Sequence, residues 1–175
     1  MDSALAAFDR LVAEHQRSVL RVCRAILGDE HLGADAAQET FVRLWRRLGA
    51  ERRPERLDAW LRRVAVTAAL DLRRRRAARE EALARAPRRE EAAERPPEEG
   101  LAARELAERL ARALERLPEG QRVVFQLRHS AGLSLAEVAA TLGVSLPTVK
   151  TQFARACVKL HGALRPFDPQ RNDSP

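Results

Sequence analysis

The 175-residue sequence has no tyrosine, and its only aromatic side chains are five phenylalanines and two tryptophans. That scarcity excludes an aromatic-rich platform for stacking nucleic-acid bases. Cys23 and Cys157 stand far apart and in no C-x-x-C pair, so they read as two buried or semi-buried helix thiols in a reducing compartment. No apolar run approaches the roughly 18 residues of a membrane span. The opening Met1-Asp2-Ser3 begins no basic-then-apolar leader, so the expectation is a cytoplasmic chain without membrane insertion. The four histidines (His15, His31, His129, His161) are scattered. His31 and Asp35, four apart, could meet on one helix face, but a metal site needs more ligands than two. A metal nuclease built on His31, Asp35 and Glu39 would need carboxylates converging in a pocket, whereas their spacing puts them on an exposed helix face. With no nucleophile constellation and no phosphate loop either, neither enzyme activity, metal nor cofactor is expected.

Basic charge, by contrast, is abundant and almost entirely arginine: 30 Arg and 2 Lys against 25 Asp+Glu, a net +7 and a pI near 10.9. The surplus favours an anionic partner, nucleic acid before a membrane surface. Its distribution divides the chain. Residues 1–76 carry 16 basic and 11 acidic side chains, 77–100 carry 5 and 7, and 101–175 carry 11 and 7. The acidic middle is rich in Glu, Arg and Ala, contains Pro87, Pro96 and Pro97, and ends Pro-Pro-Glu-Glu-Gly; it reads as a linker, partly helical at its start. Hydrophobic content of 45% supports packed cores on either side.

Both flanks read as helical, because apolar residues recur at spacings of three and four with no sustained alternation. One stripe runs Leu5, Phe8, Leu11, Val12, Val19, Val22, Ile26 to a stop at Gly28. A second is Ala34, Ala37, Phe41, Leu44, Leu48, stopped by Gly49, and a third is Leu57, Trp60, Leu61, Val64, Ala68, Leu72. Each is a face that must be buried on its neighbours, which makes the first unit a helical bundle. The third helix is expected to end in Arg73-Arg74-Arg75-Arg76, with Arg62 and Arg63 earlier. Six arginines along one helix suit a phosphate backbone; a solvated basic helix end is the other reading. Trp60, on the apolar stripe, reads as core before stacking platform. The fold class is thus all-α: two small helical domains joined by a flexible linker, over 1–76, 77–103 and 104–165, with a short frayed tail at 166–175.

The last module holds the sharpest local signal. Ser134-Leu135-Ala136-Glu137 is a capping box, its helix runs through Val138, Ala139 and Leu142, and Gly143 suits a left-handed C-cap. Ser145 is placed to cap the next helix, and Pro147 falls in its first turn, where a missing N–H costs nothing. Leu146, Val149, Phe153, Ala156 and Leu160 form the buried stripe, leaving Thr148, Lys150, Thr151, Gln152, Arg155 and Lys159 outward. Two short helices around a glycine turn, the second with a polar-basic outer face, make a DNA-binding helix-turn-helix. Lys150, Gln152 and Arg155 would reach base edges or phosphates in the major groove.

Taken together, the two modules resemble a known family. Asp35-Ala36-Ala37-Gln38-Glu39-Thr40-Phe41-Val42-Arg43-Leu44-Trp45 resembles the polymerase-clamp-binding helix of bacterial sigma factors. Ala59-Trp60-Leu61-Arg62-Arg63-Val64-Ala65 with Asp71-Leu72-Arg73-Arg74 resembles their promoter-melting, minus-ten-reading helix. Leu117-Pro118-Glu119-Gly120-Gln121-Arg122, Leu133 to Ala139 and Thr148-Val149-Lys150 resemble their minus-thirty-five-reading domain. Order and spacing are similar to the short extracytoplasmic-function (ECF) group. The resemblance implies core RNA polymerase as a partner, its clamp coiled coil gripped by Asp35, Gln38, Glu39 and Arg43, and promoter DNA as another. It implies that Gly49 to Arg56 form a base-capturing loop, and that Arg62, Arg63, Thr67, Arg73 and Arg74 hold the melted strand. Ser145, Pro147, Thr148, Lys150, Thr151, Gln152 and Arg155 would read duplex, and an anti-sigma factor would hold the chain inactive. Departures from the family pattern are Ala34 for an acidic residue, Val66-Thr67 for Arg-Asn, Pro147 for Gly and Gln152 for Arg. The 24 residues of the acidic middle, 77–100, reach at most about 80 Å, enough for two turns of duplex at about 34 Å each. A polymerase-independent helix-turn-helix regulator and a helical adaptor are the competing readings.

Overall fold

The computed structural model describes residues 2–49, 54–84 and 101–165. Seven helices follow one another: α1 (Asp2–Leu27), α2 (Glu30–Gly49), α3 (Leu57–Ala84), α4 (Leu101–Glu115), α5 (Glu119–His129), α6 (Leu135–Leu142) and α7 (Leu146–Leu164). The described residues contain no strand, in keeping with the all-α expectation. The central part of the expected linker, 85–100, the tail 166–175 and the loop residues 50–53 lie outside the described residues.

Helices α1, α2 and α3 pack mutually, and α7 packs on α4, α5 and α6. The α1–α2 corner is tight because Asp29 accepts the Leu32 N–H at 2.9 Å, and this bond is the main cause that lowers its carboxyl pKa. The two helices of this corner come unusually close: a Cβ on Gly33 would lie 2.6 Å from the Arg24 side chain and 3.3 Å from its backbone. Small residues continue that close approach along α2, where Gly33, Ala36, Ala37, Thr40 and Leu44 are buried. Thr40 is fully enclosed and satisfies its hydroxyl on the Ala36 carbonyl at 2.8 Å. Of the stripe expected from sequence, Ala37 and Leu44 are buried and Phe41 and Leu48 pack against the core, and Ala34 alone departs. Ala34 is exposed, because contact with α1 is set by Gly33 and Ala36. Leu5 is exposed as well: 26 residues of α1 run about 39 Å against about 30 Å for the 20 of α2, which leaves its first turns without a facing helix.

Helix α3 runs to Ala84, two turns past Arg76, in keeping with a linker that is helical at its start. It is buried on more than one side, with Leu61, Ala65, Val66, Ala68 and Ala69 all enclosed. The cause is tertiary: α3 meets α6 as well as α1 and α2, and α1 meets α5. One apolar cluster therefore runs from Val19, Val22 and Ile26 through Leu61 and Ala65 to Val124, Leu127, Val138 and Val149. A smaller cluster of Ala113, Leu117, Ala156 and Leu160 ties α4 to α7. Cys23, in the large cluster, directs its thiol at the Ala65 carbonyl, and burial pushes its pKa up to about 12. His15 is buried on α1, with Nδ1 2.9 Å from the Asp58 carboxylate in the first turn of α3.

Candidate nucleic-acid and polymerase interface

The helix-turn-helix is built by local chemistry. Ser134 caps α6: its Oγ accepts the Glu137 N–H at 3.2 Å, while Glu137 Oε2 accepts the Ser134 N–H at 2.9 Å and the Ser134 hydroxyl at 2.8 Å. These bonds, the backbone one first, hold the Glu137 carboxyl below its usual range. Gly143 ends the helix at φ 69°, ψ 32°, the left-handed region that a side chain disfavours. Ser145 then caps α7, its Oγ accepting the Thr148 N–H at 3.3 Å and lying 2.8 Å from the Thr148 hydroxyl. Phe125 of α5 stacks on Phe153 of α7 with centroids 6.1 Å apart, which fixes α7 against the support helix.

That framework leaves the outer face of α7 open. Ser145, Pro147, Thr148, Lys150, Thr151 and Arg155 are exposed, and Gln152 is half-buried. The Thr148 hydroxyl already has a partner in Ser145, so of this set Lys150, Thr151 and Arg155 offer the most available polar atoms.

On α2, Asp35 and Gln38 are exposed, one turn apart on one face. Glu39 is engaged by Arg43, Nε to Oε1 at 2.8 Å, and that guanidinium depresses the Glu39 pKa. Arg43 also lies 4.0 Å from Asp71 of α3. A groove of about 260 Å³ lies beside these groups, lined by Asp35, Glu39, Leu72 and Arg75 among others.

The arginines of α3 do not form one free basic stripe. Arg63 donates Nε to the Thr141 carbonyl at 3.2 Å and Nη2 to the Ala140 carbonyl at 3.3 Å. Arg62 lies 3.6 Å from Glu137, and Arg74 donates to Glu119 at 2.6 Å. Arg73 is half-buried and reaches the Ile26 carbonyl at 3.5 Å; burial, then the nearby Arg122, lowers its pKa. Thr67 is exposed but turns its hydroxyl to the Arg63 carbonyl at 3.0 Å. Trp60 is half-buried against the core, and the Arg47 guanidinium sits 5.2 Å above its ring, a cation–π contact. Sequence reading did not identify Glu119, Glu137 or the α6 carbonyls as partners of α3, since nothing in local spacing marks them.

Two families match, one on each unit: Sigma-70 region 2 over residues 11–79, and Sigma-70, region 4 over 107–160. The chain is 34% identical over 154 residues to the ECF RNA polymerase sigma factor SigM of Mycobacterium tuberculosis, covering 88% of this chain and 75% of that one. It belongs to the ECF sigma factors. It is also 34% identical over 163 residues to the ECF RNA polymerase sigma factor SigE of Mycolicibacterium smegmatis, covering 93% of this chain but only 63% of the relative's length. Among solved structures, CnrH in complex with the cytosolic domain of CnrY matches with TM-score 0.60 at 31% identity, covering 94% of this chain and 91% of that one. The sigma factor RpoE of Bartonella quintana, solved with the anti-sigma factor NepR, has TM-score 0.60 at 21% identity, over 93% and 99% of the two chains, and shares the fold. In this ECF sigma factor the region 2 match takes in α2 and nearly all of α3, and the region 4 match takes in α5, α6 and most of α7. No described helix is long and apolar enough to cross a membrane.

Proposed function

We propose that this ECF sigma factor binds core RNA polymerase and directs promoter recognition and transcription initiation, acting in the cytoplasm as a regulatory rather than a catalytic protein. The observation that carries this reading is the joining, in one chain, of region 2 and region 4 matches with an open polar-basic face on α7. The division of labour is 1–76 for clamp and minus-ten element, 77–103 as linker and 104–165 for the minus-thirty-five element. Asp35, Gln38, Glu39 and Arg43 grip the polymerase clamp; acidic and amide groups on α2 suit arginines across such an interface. Lys150, Thr151, Gln152 and Arg155 read duplex, with Ser145, Pro147 and Thr148 setting the entry of α7 into the groove. Arg62, Arg63, Thr67, Arg73 and Arg74 hold the melted strand. An anti-sigma factor as a further partner is favoured by the likeness to CnrH, which is solved with the cytosolic domain of CnrY.

Run-off transcription with purified core polymerase tests the reading. Start-site-specific transcripts are expected from the complete chain, and fewer from Gln38→Ala/Glu39→Ala, which is expected to lose core polymerase in a pull-down while binding duplex as before. Duplex binding without any start-site-specific transcript refutes the sigma assignment and leaves a polymerase-independent regulator.

A further inference from the structure

Where α1 meets α5 beside α3, two arginines lack an acidic partner. Arg73 of α3 and Arg122 of α5 line one cleft of about 610 Å³. Among the described residues no carboxylate lies within ion-pair distance of either. Arg73 Nη1 donates to the Ile26 carbonyl at 3.5 Å and Arg122 Nη1 to the Glu115 carbonyl at 3.4 Å, both at the weak end of hydrogen bonding. Arg73 Nη2 and Arg122 Nε are buried with no acceptor among the described residues. Burial and then the charge of Arg122 lower the Arg73 pKa, as expected of two cations brought near one another while water is withdrawn. A buried donor without an acceptor costs free energy, and a charged one costs more. Two such donors on one cleft are what an anion satisfies.

The acids on the same cleft are already engaged. Glu119 is taken by Arg74 at 2.6 Å and Glu80 by Arg76 at 2.7 Å. Asp29 accepts the Leu32 N–H, and Glu115 is exposed. Glu119 and Arg122 belong to the first turn of α5, which Pro118 leaves without a side-chain cap, so the positive end of that helix lies at the cleft as well. Leu27, Leu32 and Ala77 add an apolar wall, and the volume falls within the range of small-molecule sites.

We propose that this cleft is a binding site for a phosphate-bearing small molecule, held between Arg73 and Arg122 with Arg74 and Arg76 at its rim. The planar guanidinium fork matches two oxygens of a phosphate group. Two forks take one phosphate each, which fits a diphosphate, and the apolar wall leaves room for a nucleoside beside it. Small side-chain rotations, which the long carbonyl bonds do not resist, turn the buried N–H groups to the ligand. Inorganic pyrophosphate and a nucleoside diphosphate share this chemistry. Arg122 belongs to none of the DNA-binding sets given above, so the site stands apart from the promoter reading.

The test titrates the complete chain by calorimetry at constant ionic strength with sodium pyrophosphate, then ADP, then adenosine. One saturable site is expected for pyrophosphate. Arg122→Leu is expected to weaken it about tenfold, and Arg122→Lys, which keeps the charge and loses the fork, by a smaller factor. Arg10→Leu removes the same charge from an exposed position near the start of α1 and should change the affinity by less than about twofold. Unchanged helicity by circular dichroism shows that each variant is folded. ADP binding more tightly than pyrophosphate assigns the site to a nucleotide, and ADP binding no more tightly assigns it to the inorganic anion. Adenosine binding as tightly as ADP overturns the site, as does the absence of saturable pyrophosphate and ADP binding to the unsubstituted chain, a result that needs no variant. Equal losses in Arg10→Leu and Arg122→Leu also overturn it, since binding would then reflect only the field of a basic chain. A short single-stranded oligonucleotide whose affinity falls in Arg122→Leu, with no pyrophosphate bound, gives the cleft to a DNA strand and overturns the small-molecule site. Run-off transcription judges the sigma assignment separately.

Discussion

Replacing Ser134 by alanine tests the local construction of the helix-turn-helix, and its consequence can be worked through. The hydroxyl accepts the Glu137 N–H and donates to the Glu137 carboxylate. Alanine leaves that N–H, one of the four unpaired donors at the start of α6, without its cap, while the carboxylate keeps the Ser134 backbone N–H. Loss of a serine N-cap costs about 1 kcal/mol. For a chain of this size that lowers the melting temperature by about 2–4 °C, measured by far-UV circular dichroism at neutral pH. Acid adds a second readout. The Glu137 carboxyl titrates below its ordinary 4.5 in the folded chain, chiefly through the Ser134 backbone N–H and then the Ser134 hydroxyl. A depressed acid contributes stability that is complete above its unfolded value and is lost as pH falls through the lower folded value. Ser134→Ala removes one source of the depression, so the melting gap between the two proteins should narrow as pH drops below about 4, leaving only the pH-independent cap. A shift of less than about 1 °C at neutral pH, or a gap that stays constant in acid, refutes this account of the capping box.

Further expectations concern other sites. Thr141 is fully buried with no partner for its hydroxyl among the described residues, so the near-isosteric Thr141→Val should raise stability by about 1 kcal/mol; a lowered melting temperature would refute it. Lys150→Ala and Arg155→Ala should each weaken duplex binding and each reduce the salt slope by about 1; a gel-shift titration with unchanged slope removes them from phosphate contact. Because burial drives the Cys23 thiol up to about 12, a thiol alkylating agent should modify Cys157 well before Cys23 in the native chain, a ratio read by mass spectrometry of the peptides.

Much of the candidate site's geometry is legible in the sequence. Ser134, Glu137, Gly143, Ser145 and Pro147 act within one turn of their partners, so their roles follow from spacing alone, and each adopts the expected geometry. The outward set of α7 was legible for the same reason, since 3.6-residue periodicity separates its exposed side from Val149, Ala156 and Leu160. Phase failed at Ala34, where two neighbouring registers of small residues look alike in sequence. Contact with α1 chose Gly33 and Ala36. At Leu5 the missing information was helix length against the neighbour, which a periodicity count does not contain.

Sequence by itself determined the all-helical character of the described chain, the caps of α6 and α7 and the basic excess, because propensity, capping and charge are properties of residues and their near neighbours. Only the tertiary structure decided what the α3 arginines touch. Arg63 and Thr141 are 78 positions apart, and a guanidinium is the same donor whether it meets a phosphate, a carboxylate or a helix-end carbonyl. Which of these acceptors it meets depends on where α6 comes to rest against α3, and that is set by the shared apolar cluster, not by any residue close to it in the chain.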